Sequence, residues 1–294
     1  MKQHSNAAWV FLLPAAAILA FVGIVPLIAV FNYSFFDIFT LQNAFWIGGE
    51  WYSEIVSSSR FHASLGRSLF FSAIVLAIQI PLGVVIALIL SSAGRLRIMV
   101  LMLVALPLVA PWNMIPIMWL SVINAETGLV GRALSTLGIG FDYKFTALHT
   151  WILIVAMDTW HWLGLVVVLA FAGLSGIPEP YYRAAMIDGA SRLQIFRHIE
   201  LPKLSGVLSM ALLLRFMDSF MIYIEAFRIN AGGPNNATSF LSLDLGEEIA
   251  GFSYGSAAAR SVIYFLMVLT VAWVFRLAMQ SQSSDGKARP CPSQ

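Results

Sequence analysis

Six runs of twenty or more mainly apolar residues divide this chain, at about 8–31, 68–92, 98–123, 148–174, 204–227 and 257–279. A helix needs about 20 such residues to cross the hydrocarbon core of a bilayer, and each run is that long. Asp, Glu, Lys and Arg make up 11% of the 294 residues, apolar types 59%, and mean hydropathy is +0.82. Domains that live in water carry about 25% charged residues, so this chain lacks the polar surface to meet water on all sides. Backbone groups in lipid must be satisfied within their own segment, and the alternation that marks barrel strands is absent. The chain therefore reads as an all-α membrane protein with six transmembrane helices. Pro81, Pro107, Pro111 and Pro116 predict kinks in the second and third spans.

The first run follows Lys2 and starts like a signal, but it outlasts the roughly 7–15 apolar residues of a signal peptide and reads as a retained span. With both termini in the cytoplasm, the inner connections and ends hold Lys2, Arg95, Arg97, Arg183, Arg192, Arg197, Lys203, Arg276, Lys287 and Arg289. The outer side then holds only Arg60, Arg67, Arg132, Lys144, Arg228 and Arg260. That bias obeys the positive-inside rule. Residues 1–280 form one transmembrane domain, and 281–294 are expected to be a polar, disordered cytoplasmic tail. The single cysteine, Cys291, lies in that tail and offers neither a disulfide nor a thiolate metal site.

The connection between the fourth and fifth runs carries a pattern. It reads Ile177-Pro-Glu-Pro-Tyr-Tyr-Arg-Ala-Ala-Met-Ile-Asp-Gly-Ala-Ser-Arg-Leu-Gln-Ile-Phe-Arg-His-Ile-Glu-Leu-Pro202. Pro178 and Pro180 suit the first turn of a helix. Tyr182, Ala185, Met186 and Gly189 fall at i, i+3, i+4 and i+7, which predicts one face of a short helix. Gly189 then permits a sharp turn, and Leu193, Phe196 and Ile199 predict a second amphipathic stretch. Such an element either lies on the inner membrane surface or docks into another protein. For docking, Ala184 and Ala185 are small enough to let a partner's backbone approach.

With those residues the segment resembles the EAA loop of permease subunits from binding-protein-dependent ABC importers of the MalF/UgpA type. That pattern is Glu-Ala-Ala, three residues, Gly, nine residues, Ile, one residue, Leu-Pro. Ala184, Ala185, Gly189, Ile199, Leu201 and Pro202 match it, as does the run Ile187-Asp188-Gly189-Ala190. The likeness covers essentially the whole chain, including Gly232-Gly233-Pro234. It implies a type I ABC importer permease fold, in which Tyr182, Arg183, Ala184, Ala185, Asp188, Gly189, Ile199, Leu201 and Pro202 couple the chain to an ATPase. No cofactor would be bound by this chain, and ATP and Mg would sit on partner ATPase subunits. The chain indeed has no Gly-x-x-x-x-Gly-Lys-[Ser/Thr] loop to cradle phosphates. One departure stands out: Arg183 occupies the place of a Glu that in the family helps seat the helix in the ATPase cleft. Either Glu179, one turn earlier, partly takes over, or the partner's cleft has changed sign.

Ionisable groups inside spans are costly and mark function. The candidates are Asp158, Trp160 and His161 in the fourth run, and Arg215, Asp218, Ser219, Tyr223 and Glu225 in the fifth. Asn113 in the third run and Gln79 in the second join them. On an unbroken helix Arg215, Asp218 and Glu225 share roughly one side. Arg215, Asp158 and Asp218 either pair and hold two helices together or line a polar translocation path, and both can be true. Trp160, Trp162 and Tyr223 offer flat faces suited to the CH face of a sugar or polyol. His161 has no second ligand at a productive spacing, so no metal site is expected.

Two other classes compete. An ion-coupled secondary transporter would use Asp158, Asp218 or Glu225 as proton or sodium sites. An intramembrane enzyme would need a nucleophile or metal constellation that does not stand out here. The strings 157–162, 214–223 and 232–244 resemble the GlpP-like permeases of bacterial glycerol ABC importers. That resemblance implies alternating-access import of glycerol across the bacterial inner (cytoplasmic) membrane. Another sugar, another polyol or sn-glycerol 3-phosphate is the alternative solute. It also implies a heterodimer with a second permease subunit, two ATPase subunits and a periplasmic or surface solute-binding protein. Nothing points to nucleic acid.

Overall fold

The computed structural model describes residues 7–40, 43–91 and 94–285. Lys2, Lys287, Arg289 and Cys291 lie outside the described residues, as does the side chain of Arg95. Helix α1 covers Ala7–Tyr33, and a hairpin follows, β1 Phe36–Thr40 and β2 Asn43–Trp46. Then come α2 Glu50–Ser57, α3 Ser59–Ser91, α4 Arg97–Ala105, α5 Ile115–Ile123, α6 Leu129–Thr136 and α7 Ala147–Ser175. The rest is α8 Glu179–Ile187, α9 Arg192–Ile195, α10 Leu201–Ser219, α11 Ile224–Asn230, α12 Leu241–Ala250 and α13 Tyr254–Asp285.

The protein is mostly helical, but the apolar runs are not six plain rods. Helices α1, α3, α7 and α13 are each long and apolar enough to span a bilayer, and α10 with α11 makes a fifth span if its 41° bend is counted within one crossing. The third run is split: α4 ends at Ala105, a 3-10 turn holds Leu106–Val109, and α5 restarts at Ile115. Pro107 and Pro111 carry no N–H for a helical bond, and Pro116 sits in the first turn of α5, where none is needed. Pro81, by contrast, lies within α3 without ending it. The last helix runs to Asp285, so the first residues of the expected tail are helix.

The chain divides into two compact units. The first comprises 1–62 and 244–269. Here the hairpin pairs Phe36 with Trp46 and Ile38 with Ala44 in antiparallel register. The Trp51 indole N–H donates to the Phe36 carbonyl at 3.2 Å, and Phe35 stacks on Trp46 at 5.5 Å. Two arginines clasp α12. Arg60 Nε donates to Asp244 at 3.0 Å, with a second bond to Glu247, and Arg260 Nε donates to Glu248 at 3.0 Å. None of the apolar window of α1 is buried within the chain.

The second unit, 63–243 and 270–294, is built on α7, which packs against α4, α5, α10 and α11. Phe71, Ile115, Leu153, Ile154, Met157 and Phe240 form one core cluster; Val84, Ala87, Ala170, Leu174 and Leu204 form another. Lipid is as apolar as these side chains, so burial alone drives helices together weakly, and close fit at small residues carries more of the association. Gly164 is such a point: a Cβ there would lie 2.5 Å from the Val104 carbonyl oxygen. Gly164→Val should therefore cost about 1–3 kcal/mol through forced separation of α7 from α4, read as a lowered Tm of the purified protein. Gly23→Val in α1, where nothing lies within 4 Å, should leave Tm unchanged.

Candidate functional site

Arg215 on α10 is the largest side chain that the described residues bury completely. Its Nε donates to Gln79 Oε1 of α3 at 2.8 Å, its Nη2 to Asp158 Oδ2 of α7 at 2.6 Å, and its Nη1 to Asp218. Gln79 Nε2 donates in turn to Asp158 Oδ2 at 2.7 Å. The Trp162 ring lies 4.7 Å from the guanidinium, a cation–π contact. A buried charge is tolerated only when its partners are complete, and here three helices supply them. Ser219 Oγ, donating to Ser72 Oγ at 2.9 Å, adds a second polar bridge between α10 and α3.

A cavity of about 230 Å³ opens beside this network, lined by Trp112, Asp158, Trp162, Asp218, Tyr223, Glu225 and three apolar side chains of the α10–α11 break. The break changes the helical-wheel expectation: Glu225 belongs to α11, not to a continuous helix with Arg215, yet it reaches the same cavity. The Ile222 carbonyl freed there accepts from Ser242 Oγ. Tyr223 stacks on Phe227 at 5.6 Å.

Of the expected path residues, Asp158, Asp218 and Tyr223 line the cavity, while Arg215 and Ser219 lie buried behind it. His161 is buried against Trp162 at 4.9 Å, and its Nδ1 has no hydrogen-bond partner among the described residues. Trp160 packs edge-on to Trp119 at 6.0 Å in the core, and Asn113 is exposed and outside the lining. Trp112 was missed. Its signal was an aromatic residue in the proline-rich stretch where the third run cannot stay helical.

The segment before α10 is equally specific. Pro178 caps α8, and Pro180 sits in its first turn. Ala185 is buried and Tyr182 half-buried, whereas Met186 and Ile187 are 66% and 87% exposed, so the predicted face is buried only in part. Gly189 has φ +66°, the left-handed region that side chains resist. Ser191 and Gln194 then form a reciprocal capping box for α9. Phe196–Glu200 is a π-helical turn, and the Leu201 N–H reaches back to the Phe196 carbonyl. That wider turn leaves room for the Pro202 ring.

Glu200, 3% exposed, accepts from Arg192 Nη1 at 2.6 Å and from the Tyr182 hydroxyl at 3.3 Å. Burial first, and then the Glu200 carboxylate, push the Tyr182 phenol above its ordinary value, so it remains a donor. These bonds tie α8 to the foot of α10. A groove of about 490 Å³ beside α8 is lined by Ala184, Ala185, Asp188, Gly189, Gln194 and Ile199 among others. Arg183 pairs with Glu179 at 2.9 Å, with both side chains exposed. Glu179 is thus engaged within its own helix.

The model of a family described as "Binding-protein-dependent transport system inner membrane component" matches residues 79–283. The trehalose/maltose transport system permease protein MalF of Thermococcus litoralis is 28% identical over 275 residues, covering 93% of each chain. The sn-glycerol-3-phosphate transport system permease protein UgpA of Yersinia pseudotuberculosis is 28% identical over 238 residues, 79% of this chain and 80% of that one. The fold matches a chain in the crystal structure of a bacterial ABC transporter involved in import of the acidic polysaccharide alginate. There the TM-score is 0.77 at 20% identity, over 92% of this chain and 95% of that one.

Replacing Arg215 with Leu would leave Asp158 and Asp218 without their counter-charge. The expected loss is about 3–5 kcal/mol, measured as thermal unfolding of the purified protein, while Asn113→Ala should leave unfolding unchanged.

Proposed function

The chain belongs to the family of binding-protein-dependent transport system inner membrane components, and we propose that the solute it passes is glycerol or a similarly small uncharged polyol. It is a multi-pass, non-catalytic permease subunit of a sugar or polyol ABC importer, with ATP hydrolysed by separate ATPase subunits. Its partners are those ATPases, a second permease and a solute-binding protein.

Cavity size carries the solute reading. At about 230 Å³ the cavity beside Arg215 is smaller than the roughly 300–1,000 Å³ of pockets that hold drug-sized ligands. A three-carbon polyol or one sugar ring fits it; a chain of sugars does not. Trp112, Trp162 and Tyr223 offer ring faces for C–H groups, and the carboxylates accept O–H donors. The likeness to UgpA favours sn-glycerol 3-phosphate as a second reading.

The Lys and Arg bias supports both termini and about 178–203 in the cytoplasm, with 1–280 as the permease domain. There the exposed Met186 and Ile187, with Ala184 and Gly189, would face the ATPase. Motion imposed on α8 passes through Glu200 to the foot of α10. That helix spans roughly 28 Å at 1.5 Å per residue, and Arg215, Asp218 and the cavity lie toward its far end. ATP binding would move one end, and alternating access of the cavity would follow at the other. The residues Tyr182, Arg183, Ala185, Asp188, Ile199, Leu201 and Pro202 are the remaining parts of that coupling element.

Uptake of labelled glycerol at low micromolar concentration tests both claims. A strain lacking only this chain should lose uptake, and the wild-type gene should restore it. Gly189→Val should insert normally yet fail to restore it, since a side chain there costs about 1–2 kcal/mol in the left-handed region. Unchanged uptake in the deletion strain, with no other glycerol route active, would remove glycerol. Normal uptake with Gly189→Val would remove the coupling role.

A further inference from the structure

We infer that the cavity beside Arg215 turns away anionic solutes, and that Asp218 and Glu225 are the residues that do so. The inference rests on reading this cavity as a solute site. Its lining holds three carboxylates, Asp158, Asp218 and Glu225, and no Lys, Arg or His. The nearest cation is Arg215, fully buried and already committed, since three of its nitrogens donate to Gln79, Asp158 and Asp218 and Trp162 lies over the group. A phosphate ester or uronate entering the cavity would find no guanidinium or ammonium free to pair with it.

The two residues act from different elements. Asp218 keeps 29% of its side chain exposed although Arg215 holds one of its oxygens. Glu225 makes no ion pair among the described residues. It sits in the first turn of α11, so the one helix start at the cavity already carries an internal carboxylate. An uncharged polyol suits what remains: its O–H groups donate to the carboxylates while its C–H faces rest on Trp112, Trp162 and Tyr223. Like charges set face to face are strongly disfavoured, so selection against anions needs no steric barrier.

The test is equilibrium binding to the purified importer, permease pair with ATPase subunits, in nanodiscs without the solute-binding protein. The probes are labelled glycerol against sn-glycerol 3-phosphate, and sorbitol against sorbitol 6-phosphate. The wild type should bind at least one uncharged polyol about tenfold or more tighter than its phosphate ester. Glu225→Gln, whatever it does to polyol binding itself, should narrow that ratio by about tenfold. Asp218→Asn should do the same where the protein stays folded; Glu225→Gln, which breaks no ion pair, keeps the test decisive where it does not. Equal binding of a polyol and its ester by the wild type, or an unchanged ratio in Glu225→Gln, would overturn the charge selection and leave the cavity as a solute site. Binding of sorbitol but not glycerol, with the ester excluded, would support the selection and remove glycerol. Binding of no probe would overturn the inference together with the reading of the cavity.

Discussion

A guanidinium with no exposed surface, placed within a bundle of apolar helices, sets the terms for the rest of this protein. Arg215 cannot be neutralised by solvent, so α3, α7 and α10 must bring Gln79, Asp158 and Asp218 to it together. Gln79 is needed as much as the acids, because it accepts from Arg215 and donates to Asp158 at once. A network complete in this way fixes the mutual register of three helices more tightly than sliding apolar surfaces do. Helix α10 ends at Ser219, and the cavity forms in the gap before α11.

That arrangement gives α10 two tasks. Its first residues follow the π-helical turn whose Glu200 is held by Arg192 and Tyr182, and its last residues carry the charged network. A helix is stiff along its axis, so displacement of α8 by a partner has a direct mechanical route to the cavity. The π turn sits where that route begins, and such turns often mark functional hinges. Exposure of Met186 and Ile187 beside the Gly189 turn leaves an apolar surface for that partner. The self-contained Arg183–Glu179 pair removes a free charge from the same surface. On the coupling reading, docking here would be carried by shape and apolar contact more than by an ion pair.

Much of this was legible in the residues. Length and apolarity exposed the long helices, and the spacing from Ala184 to Pro202 exposed the segment now seen as α8, α9 and the π turn. The Arg215–Asp158 pairing followed from the cost of two opposite charges in apolar runs. What stayed hidden depended on distant contacts. Residues Phe220–Tyr223 contain neither Gly nor Pro and read as helix; they break where Ser242, twenty residues on, takes the Ile222 carbonyl. Glu225 therefore reached the cavity by a route a helical wheel cannot show. The β1–β2 hairpin was lost in what read as a plain connection, though Phe36, Ile38, Ala44 and Trp46 pair across it. The face predicted for α8 is only partly buried: Tyr182 and Ala185 turn inward and Met186 does not.

Site-directed cross-linking tests most directly whether α8 is where the motor is engaged. Cys291 is the only cysteine, so Cys291→Ser gives a clean background in which Ala184→Cys can be probed in the assembled transporter. Capture of an ATP-hydrolysing subunit from Ala184→Cys, with none from Leu137→Cys in the connection that the Lys and Arg bias assigns to the outer side, is the predicted result. Capture of that subunit through Leu137→Cys, or an active transporter in which Ala184→Cys reaches no ATPase, would contradict it.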